Sequence, residues 1–241
     1  MKLLPSQFRA LGGDGLPETL AVGGLCYRLE ETFKHTFASA VGLYRRDEHW
    51  IVCKFHRRAS FFGMPLAWYG CLAAAYEAAA LRSVQGVPGV PRLRGMPSRT
   101  VVARDFVEGR PLHRRMKVSD DFFPLLMELL AGIHARGVAY VDLEKPENIL
   151  VGDDGRPYLI DFQVAFHVPR RFLGETSLAR LVRRRLQQSD DYHVMKHFRR
   201  VRPDLLTAGQ IARSRRKPWP VRAGNLLVAP WKTFRRRVLG K

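Results

Sequence analysis

Hydrophobic and polar positions change their spacing along this chain, and the pattern predicts strands first and helices later. Aromatic and β-branched residues dominate from Tyr27 to Phe55, which favours two or three antiparallel strands. The Ala- and Leu-rich stretch from Pro65 to Val84 predicts a helix, and the segment from Arg99 to Val107 predicts a further strand. Residues 1–26 contain five glycines and two prolines with little periodicity, so we expect an irregular lead-in there.

The second half of the chain alternates between helical spacing and short apolar runs. Apolar residues recur at helical spacing between residues 120 and 136, which predicts an amphipathic helix that ends at Gly137. Two apolar runs, at 149–151 and 158–160, flank a turn and predict a hairpin. The pattern therefore divides the chain into four segments: an irregular lead-in (1–26), a sheet-rich unit (27–107), a mainly helical unit (108–190) and a basic helical extension (191–241). A hinge is expected at Glu108–Pro111, where the helical unit begins.

The overall composition is that of a globular protein, but the distribution of charge is unusual. The chain has 241 residues, of which 46% are hydrophobic and 26% charged, and this excludes a disordered or fibrous chain. The net charge is +19: residues 1–166 carry 21 Lys and Arg against 18 Asp and Glu, whereas residues 167–241 carry 20 against 4. A basic C-terminal quarter of this kind attracts phosphates on nucleotides, anionic lipids or nucleic acids, or forms a solvated surface without a particular ligand.

Cysteine spacing and hydropathy predict an intracellular chain. The three cysteines, Cys26, Cys53 and Cys71, have the spacing of neither a disulfide framework nor a zinc site. The N-terminal region lacks a continuous apolar stretch, so no signal peptide is expected. The longest apolar run, residues 66–80, is interrupted by Glu77, so no membrane-spanning helix is expected. We therefore expect a cytoplasmic protein, either free or peripheral on the inner face of the membrane.

The residues best suited to chemistry lie between positions 140 and 163. Asp142, Lys145 and Asn148 occupy a loop that follows the predicted amphipathic helix, and the predicted hairpin then delivers Asp161 at the end of an apolar run. Phosphoryl transfer needs such a set. One carboxylate orients the attacking hydroxyl, an amide and a second carboxylate hold magnesium, and lysine neutralises charge on the transferred phosphate.

These motifs resemble the protein-kinase-like superfamily over roughly residues 27–190. Residues 142–150 are similar to the family's catalytic loop, residues 161–163 to its Asp-Phe-Gly motif, and Lys54 to a strand lysine that a helical glutamate, here Glu77, holds. The resemblance implies an α+β fold of bilobal protein-kinase-like type, with a small antiparallel-sheet lobe, a mainly helical lobe, and ATP and Mg²⁺ at the site. The implied roles are catalysis by Asp142 and Lys145, metal binding by Asn148 and Asp161, and nucleotide binding by Lys54, Glu77, Ser39, Ala40, Asp105 and Val107.

Departures from the family pattern leave two alternatives open. Asp142 and Asn148 are six residues apart where the family has five, so Glu144 is a rival for the base. The stretch from Phe37 to Gly42 has a single glycine where the family has a glycine-rich loop. Its backbone amides are still expected to approach a phosphate, but the segment that carries them is stiffer than a glycine-rich loop. These departures also keep a non-catalytic nucleotide-binding module as an alternative to the enzyme.

The expected acceptor is a hydroxyl group, and its class follows from a narrower resemblance. Compact chains of this kind resemble the bacterial lipopolysaccharide-core sugar kinases and related small serine/threonine kinases. This resemblance implies a membrane glycolipid sugar as the acceptor, with a protein Ser or Thr as the alternative.

The apolar face of residues 227–238, flanked by basic residues, fits a helix in an anionic membrane interface or one packed on the helical unit. A nucleic-acid binder that uses the basic C-terminal segment is a further alternative, although no recognition motif for a specific nucleic acid is present. The segment Asp190-Asp191-Tyr192-His193 lies between two basic runs and is expected to pair with neighbouring arginines or to hold a substrate.

Overall fold

The computed structural model describes residues 6–168 and 176–215. Their fold is mixed α/β with antiparallel sheets, which agrees with the α+β class expected from the sequence. The strands are β1 (Thr19–Val22), β2 (Leu25–His35), β3 (Ser39–Arg46), β4 (His49–His56), β5 (Leu93–Ser98), β6 (Val101–Asp105), β7 (Gly109–Pro111), β8 (Val138–Ala139), β9 (Ile149–Gly152), β10 (Pro157–Leu159) and β11 (Phe166–His167). The α-helices are α1 (Ala67–Ser83), α2 (Phe122–Ala135), α3 (Ser177–Val201) and α4 (Ala208–Arg215).

Six strands form one antiparallel sheet in the order β1-β2-β3-β4-β6-β5. Strand β1 at one edge also contacts β5 at the other edge, so the sheet curves into a barrel-like shape. Strands β3 and β4 are buried over most of their length because both faces of the sheet are covered. Tyr44 and Cys53 pack on one face, whereas Val41 and Val52 pack on the opposite face, as the two-residue period of a strand requires.

A second, largely helical region carries most of the apolar core. Helix α2 buries Phe122, Leu126 and Ile133 on one face, which confirms the predicted amphipathic helix. The predicted hairpin is also confirmed: β9 and β10 pair with Leu150 opposite Tyr158, and β7 adds a third strand beside β9. Buried residues of α1, α2, α3 and this hairpin form one cluster, so α1 joins the helical region to the sheet.

Three features differ from the sequence pattern. The lead-in predicted for residues 1–26 contains β1, which pairs with β2 around Gly23 and Gly24. Their φ values of 59° and 80° are those of a tight two-residue hairpin turn. Residues Glu108–Pro111 do not form a free hinge, because β7 lies within them and pairs with β9. Helix α3 runs without interruption across the boundary predicted between residues 190 and 191.

The described part of the basic C-terminal quarter is mainly helical, in α3 and α4. The apolar face predicted at residues 227–238 lies outside the described residues. No helix within the described ranges has the length and apolarity needed to cross a membrane.

Candidate active site

A cavity of about 440 Å³ lies between the six-stranded sheet and the β9–β10 hairpin. Part of its wall is apolar and includes Val41, Val52 and Leu150. Another part is charged and includes Lys54 and Asp161. The volume and the mixed lining suit a small organic ligand that carries an anionic group.

Lys54 lies at the centre of a charge cluster in this cavity. Its Nζ donates a hydrogen bond of 2.6 Å to Asp161 Oδ1 and lies 3.0 Å from Glu77 Oε2. Glu77 is 2% exposed because α1 packs against the sheet. Lys54 and Asp161 are 107 residues apart in sequence, so the fold itself assembles this cluster.

Opposite charges decide the protonation of the cluster. Burial alone would raise the pKa of Asp161 and of Glu77, but the charge of Lys54 acts together with hydrogen bonds, from Lys54 to Asp161 and from His56 to Glu77, and the pKa of both is lowered, that of Asp161 to about 2. Burial would lower the pKa of Lys54, yet the two carboxylates raise it. All three groups are therefore charged at neutral pH. His56, which the sequence pattern did not single out, adds a polar neighbour, since its Nε2 lies 3.0 Å from Glu77 Oε2.

Asp142, Lys145 and Asn148 are held together by the loop that follows β8. Lys145 Nζ donates to Asp142 Oδ2 at 2.7 Å, and Asn148 Nδ2 donates to the same oxygen at 2.8 Å. Asn148 Nδ2 also lies 3.2 Å from the backbone oxygen of Asp142, so its side chain braces the loop from inside. Both side-chain hydrogen bonds end on Oδ2, and within the described residues no hydrogen bond is made to Oδ1 of Asp142.

The additional residue in the loop does not separate Asp142 from Asn148. The side chain of Leu143 is fully buried, and its carbonyl oxygen lies 2.8 Å from His197 Nε2. The side chain of Glu144 is 55% exposed and lies 3.8 Å from Lys196 Nζ. Of the two carboxylates that the sequence left open, Asp142 is the one in contact with Asn148.

Asp190 on α3 fixes the beginning of this loop. It is fully buried, and its two oxygens accept hydrogen bonds from the backbone N–H groups of Tyr140 (2.7 Å) and Val141 (2.8 Å). His134 Nε2 lies 3.1 Å from the same carboxylate. Val141 has a φ of 71°, a left-handed conformation that is unfavourable for a β-branched residue, and the bond to Asp190 helps to hold it. The expectation that Asp190 pairs with neighbouring arginines is therefore wrong.

The other predicted nucleotide-binding residues differ in position. The N–H of Ser39 donates to the hydroxyl of Thr36 at 3.3 Å, and Ala40 is fully buried between β2 and β4. Neither residue lines the cavity, because the turn between β2 and β3 closes on its own hydrogen bonds. Asp105 forms an ion pair with an arginine on β5 and does not line the cavity either, whereas Val107 does.

Two further basic residues line the cavity, Lys34 on β2 and Arg104 on β6. Arg104 lies opposite Val52 in the β4–β6 register, and its guanidinium donates to the backbone oxygen of Asp105 at 3.3 Å. Burial lowers the pKa of Arg104. Both residues face the cavity because of strand register, which the composition of the strands does not reveal.

The oxygen atoms at this site suit a magnesium ion that is bound together with phosphates. Asn148 donates through Nδ2 to Asp142, and Asp161 accepts from Lys54 through Oδ1, so within the described part of the chain the amide oxygen of Asn148 and Oδ2 of Asp161 have no hydrogen-bond partner. Both residues line the cavity. Magnesium prefers oxygen ligands and is commonly held by one or two side chains plus phosphate oxygens. Within the described part of the chain there is no group of three or more His, Cys, Asp or Glu residues that would hold a metal alone.

Comparison with known proteins gives a short match to protein kinases. Serine/threonine-protein kinase 16 of Rattus norvegicus and the protein of the same name from Mus musculus are each 51% identical to this chain over 45 residues. The matched segment is 17% of this chain and spans 14% of the length of either kinase. No protein-family profile matches the chain. The similarity to a kinase is therefore local.

Proposed function

We propose that this protein is a magnesium-dependent kinase that transfers the γ-phosphate of ATP to a hydroxyl group. The observation that carries the proposal is the charge cluster of Lys54, Glu77 and Asp161, in a cavity that Asn148 also lines while holding Asp142. The short match to serine/threonine-protein kinase 16 supports the same reaction class. On this proposal, the six-stranded sheet with α1 is one lobe of a bilobal protein-kinase-like fold and the helical region is the other.

Binding of the nucleotide follows from the contacts of the cavity residues. Lys54, which Glu77 keeps charged and oriented, binds phosphate oxygens of ATP. Asp161 and Asn148 would hold magnesium, which would supply positive charge to the phosphates. The apolar wall, which includes Val107, packs against the base.

Transfer requires a base and a positive charge on the acceptor side. Asp142 orients the acceptor hydroxyl through Oδ1 and accepts its proton. The hydroxyl oxygen forms the new bond to the γ-phosphorus while the bond from that phosphorus to the bridging oxygen breaks, and ADP leaves. Lys145, 2.7 Å from Asp142, neutralises negative charge on the transferred group.

For the acceptor, we infer a protein serine or threonine hydroxyl ahead of a glycolipid sugar. Both matched proteins are named serine/threonine kinases. The glycolipid acceptor rests on the resemblance to sugar kinases and on residues 227–238, which lie outside the described residues. Both acceptors present an alcohol, so the residues described above act in the same way on either.

Substitution of the two candidate bases tests the mechanism. Radiolabelled phosphate transfer from ATP is measured with casein and with detergent-solubilised lipopolysaccharide as parallel acceptors. We expect Asp142→Asn to reduce transfer by about 10²- to 10⁴-fold, the range for loss of a general base. Glu144→Gln, the matched control on the same loop, is expected to leave transfer unchanged because Glu144 is turned toward Lys196.

The same assay separates the alternatives. Loss of transfer in Glu144→Gln, with activity kept in Asp142→Asn, would assign the base to Glu144. ATP binding without phosphorylation of either acceptor or of the protein itself would contradict the kinase and favour a non-catalytic nucleotide-binding module. The melting temperature of each variant is measured in parallel, so that a folding defect is not read as lost catalysis.

A further inference from the structure

A β-bulge in β2 turns Lys34 toward the cavity. In the pairing of β2 with β3, Thr32 lies opposite Gly42 and Lys34 lies opposite Val41, so Phe33 is an additional residue on β2. In a regular strand, Phe33 would lie opposite Val41 and Lys34 would point to the other face of the sheet. The bulge instead lets both Phe33 and Lys34 line the cavity.

The strand register then places Lys34 in a row with the central lysine of the site. Lys34 lies opposite Val41, and Val41 lies opposite Lys54 on the next strand. Directly opposed residues of antiparallel strands project to the same face, so the three side chains form one row across the wall of the cavity. Lys34 and Lys54 therefore lie on the same wall, on either side of Val41.

The two lysines differ in their partners. Lys54 contacts two carboxylates, Glu77 and Asp161. Lys34 has no carboxylate within ion-pair distance in the described ranges, although Asp161 attracts it from farther away. Lys34 is exposed, and partial desolvation, together with the positive charges of Lys54 and Lys145, lowers its pKa. Because Lys34 is exposed and lines the cavity, its ammonium can contact an anionic ligand there without first breaking an ion pair of its own.

We propose that Lys34 binds the terminal phosphates of the nucleoside triphosphate, in place of the backbone amides that the turn between β2 and β3 keeps for itself. This proposal rests on the proposed function. Two observations favour the phosphate end over the base. First, the charged groups that act on Lys34 belong to the proposed phosphate-transfer site, and Asp161 attracts it most strongly. Second, the N–H of Ser39 already donates a hydrogen bond to the hydroxyl of Thr36.

Calorimetric titrations of ATP, ADP and adenosine, all with Mg²⁺, test the proposal. They compare the wild type with Lys34→Met, Lys34→Arg and Lys117→Met, the last being an exposed lysine away from the cavity. We expect Lys34→Met to weaken ATP binding by about ten- to a hundredfold, the loss of one charge-assisted contact, and ADP binding by less. Adenosine binding is expected to be unchanged, Lys34→Arg is expected to keep most of the affinity for ATP, and Lys117→Met is expected to bind as the wild type does.

The outcomes distinguish a failure of this proposal from a failure of the proposed function. A wild type that does not bind ATP would overturn both. A wild type that binds ATP, together with a Lys34→Met variant that binds it equally well, would overturn the role of Lys34 alone. Equal weakening of ATP and adenosine would show that Lys34 shapes the wall rather than binding phosphate. If Lys117→Met weakened ATP binding as much as Lys34→Met does, the loss would be an effect of overall charge rather than of a contact with Lys34. Each of these last two results would overturn the proposal.

Discussion

Single buried side chains determine where the reactive groups of this site lie. Asp190 offers one oxygen to each of two consecutive N–H groups, those of Tyr140 and Val141. The side chain of an asparagine at this position would have a single acceptor oxygen. Its NH₂ group would then face the second N–H, and two donors cannot form a hydrogen bond with each other. Asp190 therefore sets the backbone immediately before Asp142.

Replacement of Asp190 is expected to affect both stability and transfer. Asp190→Asn should lower the free energy of unfolding by about 1–3 kcal/mol, the cost of one buried unpaired polar group, and should lower phosphate transfer more than ATP binding. Asp191→Asn is the matched control, since the side chain of Asp191 is 66% exposed, and it should change neither quantity. Urea unfolding followed by circular dichroism measures the first quantity. Equal stability of the two variants would contradict the assigned role.

Residues differ in how far the sequence reveals them. The proximity of Asp142, Lys145 and Asn148 was predictable because they lie within one short loop and the expected chemistry needs these groups. Asp190 was not predictable, since its partner Tyr140 lies 50 residues away in sequence and its charge sits among many basic residues. Lys34 was not predictable either, because a bulge decides which face of the sheet it joins.

At the level of elements, the contact between α1 and the sheet controls the charge cluster. Gly70 on α1 approaches the backbone of Arg57 so closely that an added Cβ would lie 1.9 Å from the Arg57 oxygen. Arg57 cannot easily move away, because its buried guanidinium donates to four backbone oxygens, those of residues 7, 9, 37 and 60. Glu77 lies seven residues after Gly70, two helical turns along the same face, so a shift of α1 would carry Glu77 away from Lys54.

A methyl group at Gly70 tests this contact. Gly70→Ala should lower the free energy of unfolding by about 1–3 kcal/mol, as overpacking does, and should weaken ATP binding because Glu77 is displaced. Gly209→Ala is the control, since nothing lies within 4 Å of an added Cβ in α4. Its stability should rise by less than about 1 kcal/mol, because alanine favours helix. Equal stability of Gly70→Ala and the wild type would contradict the close approach.

Elements were predictable where their local pattern was strong. Helix α2 follows from apolar spacing, and the β9–β10 hairpin from two apolar runs around a turn. Strand β1 was missed although Gly23-Gly24 is a typical hairpin turn, because the surrounding glycines and prolines suggested irregular chain. Strand β7 was missed because its three residues form a strand only when β9 lies beside them.

For the whole molecule, the proposed binding of ATP in the cavity depends on the arrangement of charges rather than on net charge. The chain carries +19 overall, but the charged residues that line the cavity balance, with three basic and three acidic. On the proposed function, magnesium on the carboxylate side would leave the basic side chains to the phosphates. The account therefore predicts that ATP binding depends strongly on Mg²⁺. The charged lining residues are Lys34, Lys54, Arg104, Glu77, Glu147 and Asp161.

The most direct measurement is calorimetric titration of ATP into the wild type and Asp161→Asn, each with Mg²⁺ and with EDTA. We expect the wild type to bind ATP much more tightly with Mg²⁺ than with EDTA. Asp161→Asn, which lacks the carboxylate that would hold the metal, should lose this dependence while it keeps a cooperative melting transition. Absence of ATP binding by the folded wild type, or equal Mg²⁺ dependence in both proteins, would contradict the account.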